Sequence, residues 1–170
     1  MKKQLLLLLT AALAITLSAC GGAGSSTASD EDLKTVVGDL ILAETATDTL
    51  ASLLIENWTT YSNLLLYYYD QEAYEASNLY EEGSDYGTAH ELRGYADEVM
   101  NEAKGLLGTE GSSDFYEAAK TYYLAVNDYL ALLSEFPDGY SKLTYSNAIS
   151  DCRSACQSAY SEVTFYTETE

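Results

Sequence analysis

Two cysteines one helical turn apart, in Cys152-Arg153-Ser154-Ala155-Cys156, are the first place to look for chemistry in this 170-residue chain. The spacing is one residue too long for a thioredoxin-type redox pair, and Gln157 stands where a haem-attachment motif requires histidine. On a helix, side chains at i and i+4 have Cβ atoms about 5–6 Å apart, whereas a disulfide needs roughly 3.5–4.5 Å. A Cys152–Cys156 bridge would therefore distort its helix. Two small buried thiols fit the pattern better than a disulfide, and a redox role fits it least. The single histidine, His90, cannot supply both Glu-x-x-His motifs of a di-iron bundle, nor the ligand set of a zinc site. There is no Gly-x-Ser-x-Gly elbow and no phosphate-cradling glycine loop. With 27 acidic residues in the chain, chance pairs of carboxylates carry no information about acid–base catalysis. The expectation is no catalytic residue, no metal and no cofactor.

Tyrosine is the unusual feature of the composition, at 16 residues against 3 phenylalanines and 1 tryptophan. A phenol prefers a half-wet position with its hydroxyl outward. Tyr67, Tyr68 and Tyr69 cannot all face inward on one helix, because successive residues are about 100° apart. With Glu72 and Glu75 just beyond, and Glu81 and Glu82 further on, this stretch is the candidate contact surface, suited to a cationic or carbohydrate ligand. The plainer alternative is that tyrosines simply rim the helix interfaces.

The N-terminus carries a different chemistry. Lys2 and Lys3 precede an apolar run from Gln4 to Thr16 that is too short for a stable membrane span and reads as a secretory signal. It ends in Leu17-Ser18-Ala19-Cys20, with a branched apolar residue, two small residues and a cysteine. These four residues resemble the lipobox of bacterial lipoproteins. The resemblance implies cleavage between Ala19 and Cys20, a diacylglyceryl thioether on Cys20, and a membrane lipid anchor at the extracytoplasmic face. Two or three acyl chains hold a protein stably where one holds it marginally, since each buried methylene contributes about 0.8 kcal/mol. The alternative is an ordinary cleaved signal with Cys20 a bystander.

Formal charge is −19, from 8 basic and 27 acidic residues, and removal of Lys2 and Lys3 would make the mature chain more acidic still. Nucleic acid is excluded as a partner, because a phosphate backbone requires clustered Lys and Arg. The field steers basic proteins or cations toward the surface, or serves only solubility.

The elements that must position these residues are helices. Gly21-Gly22-Ala23-Gly24-Ser25-Ser26 opens a small-residue tether, so the organisation is residues 1–19 signal, 20–30 lipidated cysteine and tether, and 31–167 one helical domain. Asp30, Glu31 and Asp32 mark a helix start. From Leu33 the apolar residues recur every three or four, through Val36, Leu40, Thr47, Leu50, Leu54 and Trp58 to Tyr68. Residues 70–82 then read as a continuation or a kinked second piece. Thr88-Ala89-His90-Glu91 is a capping box, placing a second helix from about Ala89 with Leu92, Ala96, Val99 and Ala103 inward. A third starts at Ser112 or Ser113 and buries Phe115, Tyr122, Val126 and Tyr129. A fourth, from about Tyr140, carries Tyr145, Ile149, Cys152, Cys156, Ala159 and Val163 on one stripe. The sequence predicts an all-α, antiparallel up-down-up-down four-helix bundle with a long first helix.

These features point to a non-enzymatic, membrane-anchored lipoprotein whose acidic, tyrosine-rich bundle binds a partner protein or a small ligand. The alternative is a sensor or scaffold subunit of an envelope membrane complex.

Overall fold

The computed structural model describes residues 28–59, 85–108, 111–134 and 141–167. The described part is all-α and contains four helices, with no strand among the described residues: α1 (Asp30–Glu56), α2 (Asp85–Leu107), α3 (Asp114–Ser134) and α4 (Lys142–Thr167).

Each helix starts or stops where its local chemistry requires. Ser29 caps α1: its hydroxyl accepts the Asp32 amide at 3.2 Å, while the Asp32 carboxylate accepts the Ser29 amide at 3.0 Å. This reciprocal pair holds the Asp32 carboxyl below its ordinary pKa, chiefly through the hydrogen bond from the Ser29 side chain. α1 is interrupted at Asn57, and Trp58 and Thr59 beyond it are again helical. Asn57 donates its amide and its side-chain Nδ2 to the Leu53 carbonyl, at 3.0 and 3.1 Å, and closes the helix in a turn. A short polar side chain that competes for backbone groups outweighs the continuing pattern.

α2 also departs from expectation. It begins at Asp85, upstream of Thr88, so Thr88-Ala89-His90-Glu91 lies within the helix and does not cap it. The backbone of His90 is therefore helical, while its side chain lies outside the described residues. α3 starts as expected, with Ser113 Oγ accepting the Tyr116 amide at 3.1 Å. In α4 the same role falls to Ser141, whose Oγ accepts the Thr144 amide at 3.2 Å.

The core is continuous across the four helices and follows the expected stripes closely in α2, α3 and α4. α1 packs chiefly on α2 and on α3, and α3 on α4. Tyr122, Tyr129 and Tyr145 lie inside as their helical spacing predicts, against the general preference of phenols for half-wet positions. The rings of Tyr122, Tyr129 and Tyr145 are fully buried and are the largest such side chains in the described core. Tyr116, also buried, donates its hydroxyl to the Leu107 carbonyl at 2.8 Å, pinning the end of α2 to the start of α3. Gly111 lies under that ring: a Cβ there would come within 2.3 Å of it. Thr47, fully buried, returns its hydroxyl to the Ala43 carbonyl at 2.7 Å.

Candidate functional site

Helix α1 carries polar groups into two seams that differ in one respect, whether the groups find partners.

The first seam lies where α3 and α4 meet α1. Glu44 and Asp48 are one turn apart on α1, and Tyr122 and Tyr129 two turns apart on α3, so the pairs come into register. Tyr122 donates its hydroxyl to the Glu44 carboxylate, and Tyr129 donates to Asp48 at 2.9 Å. From α4, Arg153 places its Nε on the same Asp48 oxygen and donates through Nη2 to Ser52 Oγ at 3.2 Å. Burial, then the hydrogen bond to a carboxylate, drives both phenol pKa values upward, so the rings stay neutral donors. The Asp48 hydrogen bond raises Arg153 further. Cys156 is completely buried beside this cluster, and burial, followed by the Glu44 charge, pushes its thiol up to about 12. Tyr160 from α4 tilts against Tyr122, with ring centroids 5.7 Å apart. The seam anchors phenols that apolar rings alone would leave unsatisfied. A protonated thiol and neutral phenols supply no base or nucleophile at neutral pH.

The second seam lies between α1 and α2. Asp39 is only 6% exposed as a residue, while its carboxylate oxygens keep contact with solvent, the Tyr95 hydroxyl being the buried side-chain oxygen without a partner among the described residues. Burial, helped by the Glu102 charge from α2, raises its pKa from 3.8 to about 6. Tyr95, Glu98 and Glu102 fall at i, i+3 and i+7 along one edge of α2. The Tyr95 hydroxyl is buried with no hydrogen-bond partner. Its phenol is raised by burial, then by the charges of Asp39, Glu102 and Glu98.

The residues singled out in the sequence are distributed unevenly over this geometry. Leu17, Ser18, Ala19 and Cys20, and the stretch holding Tyr67, Tyr68, Tyr69, Glu72 and Glu75, lie outside the described residues. Cys152 and Cys156 are both free thiols on α4, Cys152 partly and Cys156 fully buried. Burial raises Cys152 as well, helped by Asp128 and Asp151. Among the described residues, no group of three or more His, Cys, Asp or Glu side chains is placed to hold a metal ion.

Sequence reasoning passed over Asp39 and Tyr95. A signal was present: Asp39 sits one turn from Val36 and Ala43 on the inward face, an acid at a core position of an otherwise apolar stripe.

No protein-family model, curated protein or solved structure matches the chain.

Proposed function

We propose that this chain is a membrane-anchored extracytoplasmic lipoprotein without enzymatic activity, whose helical domain binds a partner protein or a small ligand. The observation that carries the proposal is Leu17-Ser18-Ala19-Cys20 placed directly behind a basic start and an apolar run. Lipid on Cys20 would attach the chain without a spanning segment, and no helix among the described residues is long and apolar enough to cross a membrane. The Gly/Ser run after Cys20 would let the acidic domain stand off the headgroups.

Within this proposal the domain is an up-down-up-down antiparallel bundle. The register of its contacts supports that direction. Phe115 stacks on Tyr166 and Tyr122 packs on Tyr160, so positions rise along α3 as they fall along α4. Glu44 meets Tyr122 and Asp48 meets Tyr129, rising together along α1 and α3. Trp58, just beyond α1, contacts Tyr145 near the start of α4. The acidic stretch from Tyr67 to Glu75 is the proposed contact surface for a partner.

Replacing the anchor residue tests the proposal. The parent should sediment with membranes and yield an N-terminal peptide beginning at Cys20 and carrying the mass of a diacylglyceryl group. Cys20→Ser should be released or remain uncleaved. Identical fractionation of the two, with Met1 retained on the parent, would reject the reading.

A further inference from the structure

Helix α4 carries a second regular stripe on the side opposite its buried Tyr145, Ile149, Cys156 and Val163. Leu143, Asn147, Ser150, Ser154, Ser161 and Phe165 are all exposed. At 100° per residue they fall within about 30° of one line along the helix. No charge interrupts that line, although the chain carries −19. The solvent sides of the neighbouring helices differ: α2 exposes Glu91, Glu98 and Glu102 there, and α3 exposes Glu117, Lys120 and Asp128. Charged residues are what a helix ordinarily turns to water. The ends of the α4 stripe are apolar as well. Leu143 at 71% and Phe165 at 67% are the most exposed large apolar side chains among the described residues.

We infer that this face of α4 binds a second copy of the chain, the two α4 helices running parallel and in register about a two-fold axis. The composition of the stripe selects that occupant. A basic protein drawn in by the acidic field would meet no anion on the line itself. A second copy meets it with like chemistry: leucine on leucine at one end, phenylalanine on phenylalanine at the other, and serines between that let the helices approach closely. The edges set the direction. Asp151 lies about a quarter turn to one side of the line and Arg153 about a quarter turn to the other, at nearly the same height. A parallel two-fold pair sets each acid across from a base, whereas an antiparallel pair would bring the two Arg153 side chains together. Each Arg153 keeps its own Asp48 and is still 46% exposed. The strip is about 33 Å long and about 12 Å wide, or roughly 400 Å2 per copy, so the pair belongs among small, reversible interfaces. The inference does not depend on the lipid anchor.

Single cysteines placed along the stripe of the full-length chain provide the test. A small interface dissociates on dilution, so the readout is disulfide capture with diamide, followed on non-reducing gels. Residues on the contact line of two helices about 8–10 Å apart come within disulfide reach. Ser154→Cys, Asn147→Cys and Ser161→Cys should each give a double-mass species several-fold faster than the parent or than Asn127→Cys, an exposed position on α3. Raised salt should speed capture, because the acidic surfaces repel each other. Adding Leu143→Glu and Phe165→Glu to Ser154→Cys should slow capture to the Asn127→Cys rate and leave the melting midpoint unchanged, since both positions face water. Equal rates for Ser154→Cys and Asn127→Cys, or no response to the two glutamates, would overturn the inference. So would Asn147→Cys and Ser161→Cys joining only when mixed, which marks an antiparallel pair, or capture in whole cells of a chain of different mass in place of the double-mass species.

Discussion

Asp39→Asn should stabilise the protein, and only above a definable pH. In the folded chain the Asp39 carboxyl has a pKa of about 6, against 3.8 for an unhindered aspartate. Below about pH 4 both folded and unfolded chains hold the proton, and the residue imposes no ionisation cost. Between about 4 and 6 the unfolded chain releases its proton while the folded chain retains it, so stability falls with rising pH. Above about 6.5 both states are ionised and the loss stays constant. At about 1.4 kcal/mol per pH unit over roughly two units, the loss amounts to about 3 kcal/mol. That figure is an upper bound, because water reaching the seam would reduce it. For a domain of this size the substitution should raise the melting temperature by about 3–9 °C at pH 8 and by nearly nothing at pH 3.5. Other carboxylates repel one another increasingly over the same range, so the diagnostic quantity is the difference between parent and variant. It is measured by urea unfolding from pH 3.5 to 8 at constant ionic strength. A difference that stays flat across that range, or a variant less stable than the parent at pH 8, would refute the reasoning.

Three further substitutions and one alkylation test other parts of the structure. Gly111→Ala drives a Cβ to within 2.3 Å of the Tyr116 ring and should cost about 1–3 kcal/mol, read as a lower urea midpoint with an unchanged slope. Tyr122→Phe keeps the buried ring but removes its hydrogen bond to the partly exposed Glu44, so it should cost about 1 kcal/mol. Tyr122→Ala should cost about 3–5 kcal/mol, because it also leaves a cavity. Iodoacetamide at pH 7.5 should modify Cys152 before Cys156, whose thiol is wholly buried and pushed up to about 12, and mass spectrometry should find Cys156 labelled only after denaturant is added.

The helical stripes were legible in the sequence because burial and periodicity coincide there. Phe115, Tyr122, Val126 and Tyr129 on α3, and Tyr145, Ile149, Cys156 and Val163 on α4, lie inside as their spacing requires. Boundaries were less legible, since they turn on competition between individual hydrogen bonds. Thr88 with Glu91 has the form of a cap yet lies inside α2, whereas Ser29 with Asp32 makes the reciprocal cap through an aspartate in place of the usual glutamate. Asn57 interrupts the helix for one residue within its apolar pattern, with Trp58 and Thr59 helical again beyond it. For tyrosine, composition and helical spacing pointed in opposite directions, and spacing prevailed. Composition predicts wet hydroxyls, but Glu44 and Asp48 on α1 accept the phenols of Tyr122 and Tyr129, and so allow whole rings into the core. Those pairings span about eighty residues of sequence, beyond the reach of any local pattern.

The two seams of α1 make different uses of the same residue types. Toward α3 and α4, Tyr122 and Tyr129 each meet a carboxylate, and Asp48 also meets Arg153. Toward α2, Asp39 sits at a core position and the Tyr95 hydroxyl is buried without a hydrogen-bond partner. Leucine at 39 and phenylalanine at 95 would pack this second seam without the desolvation cost.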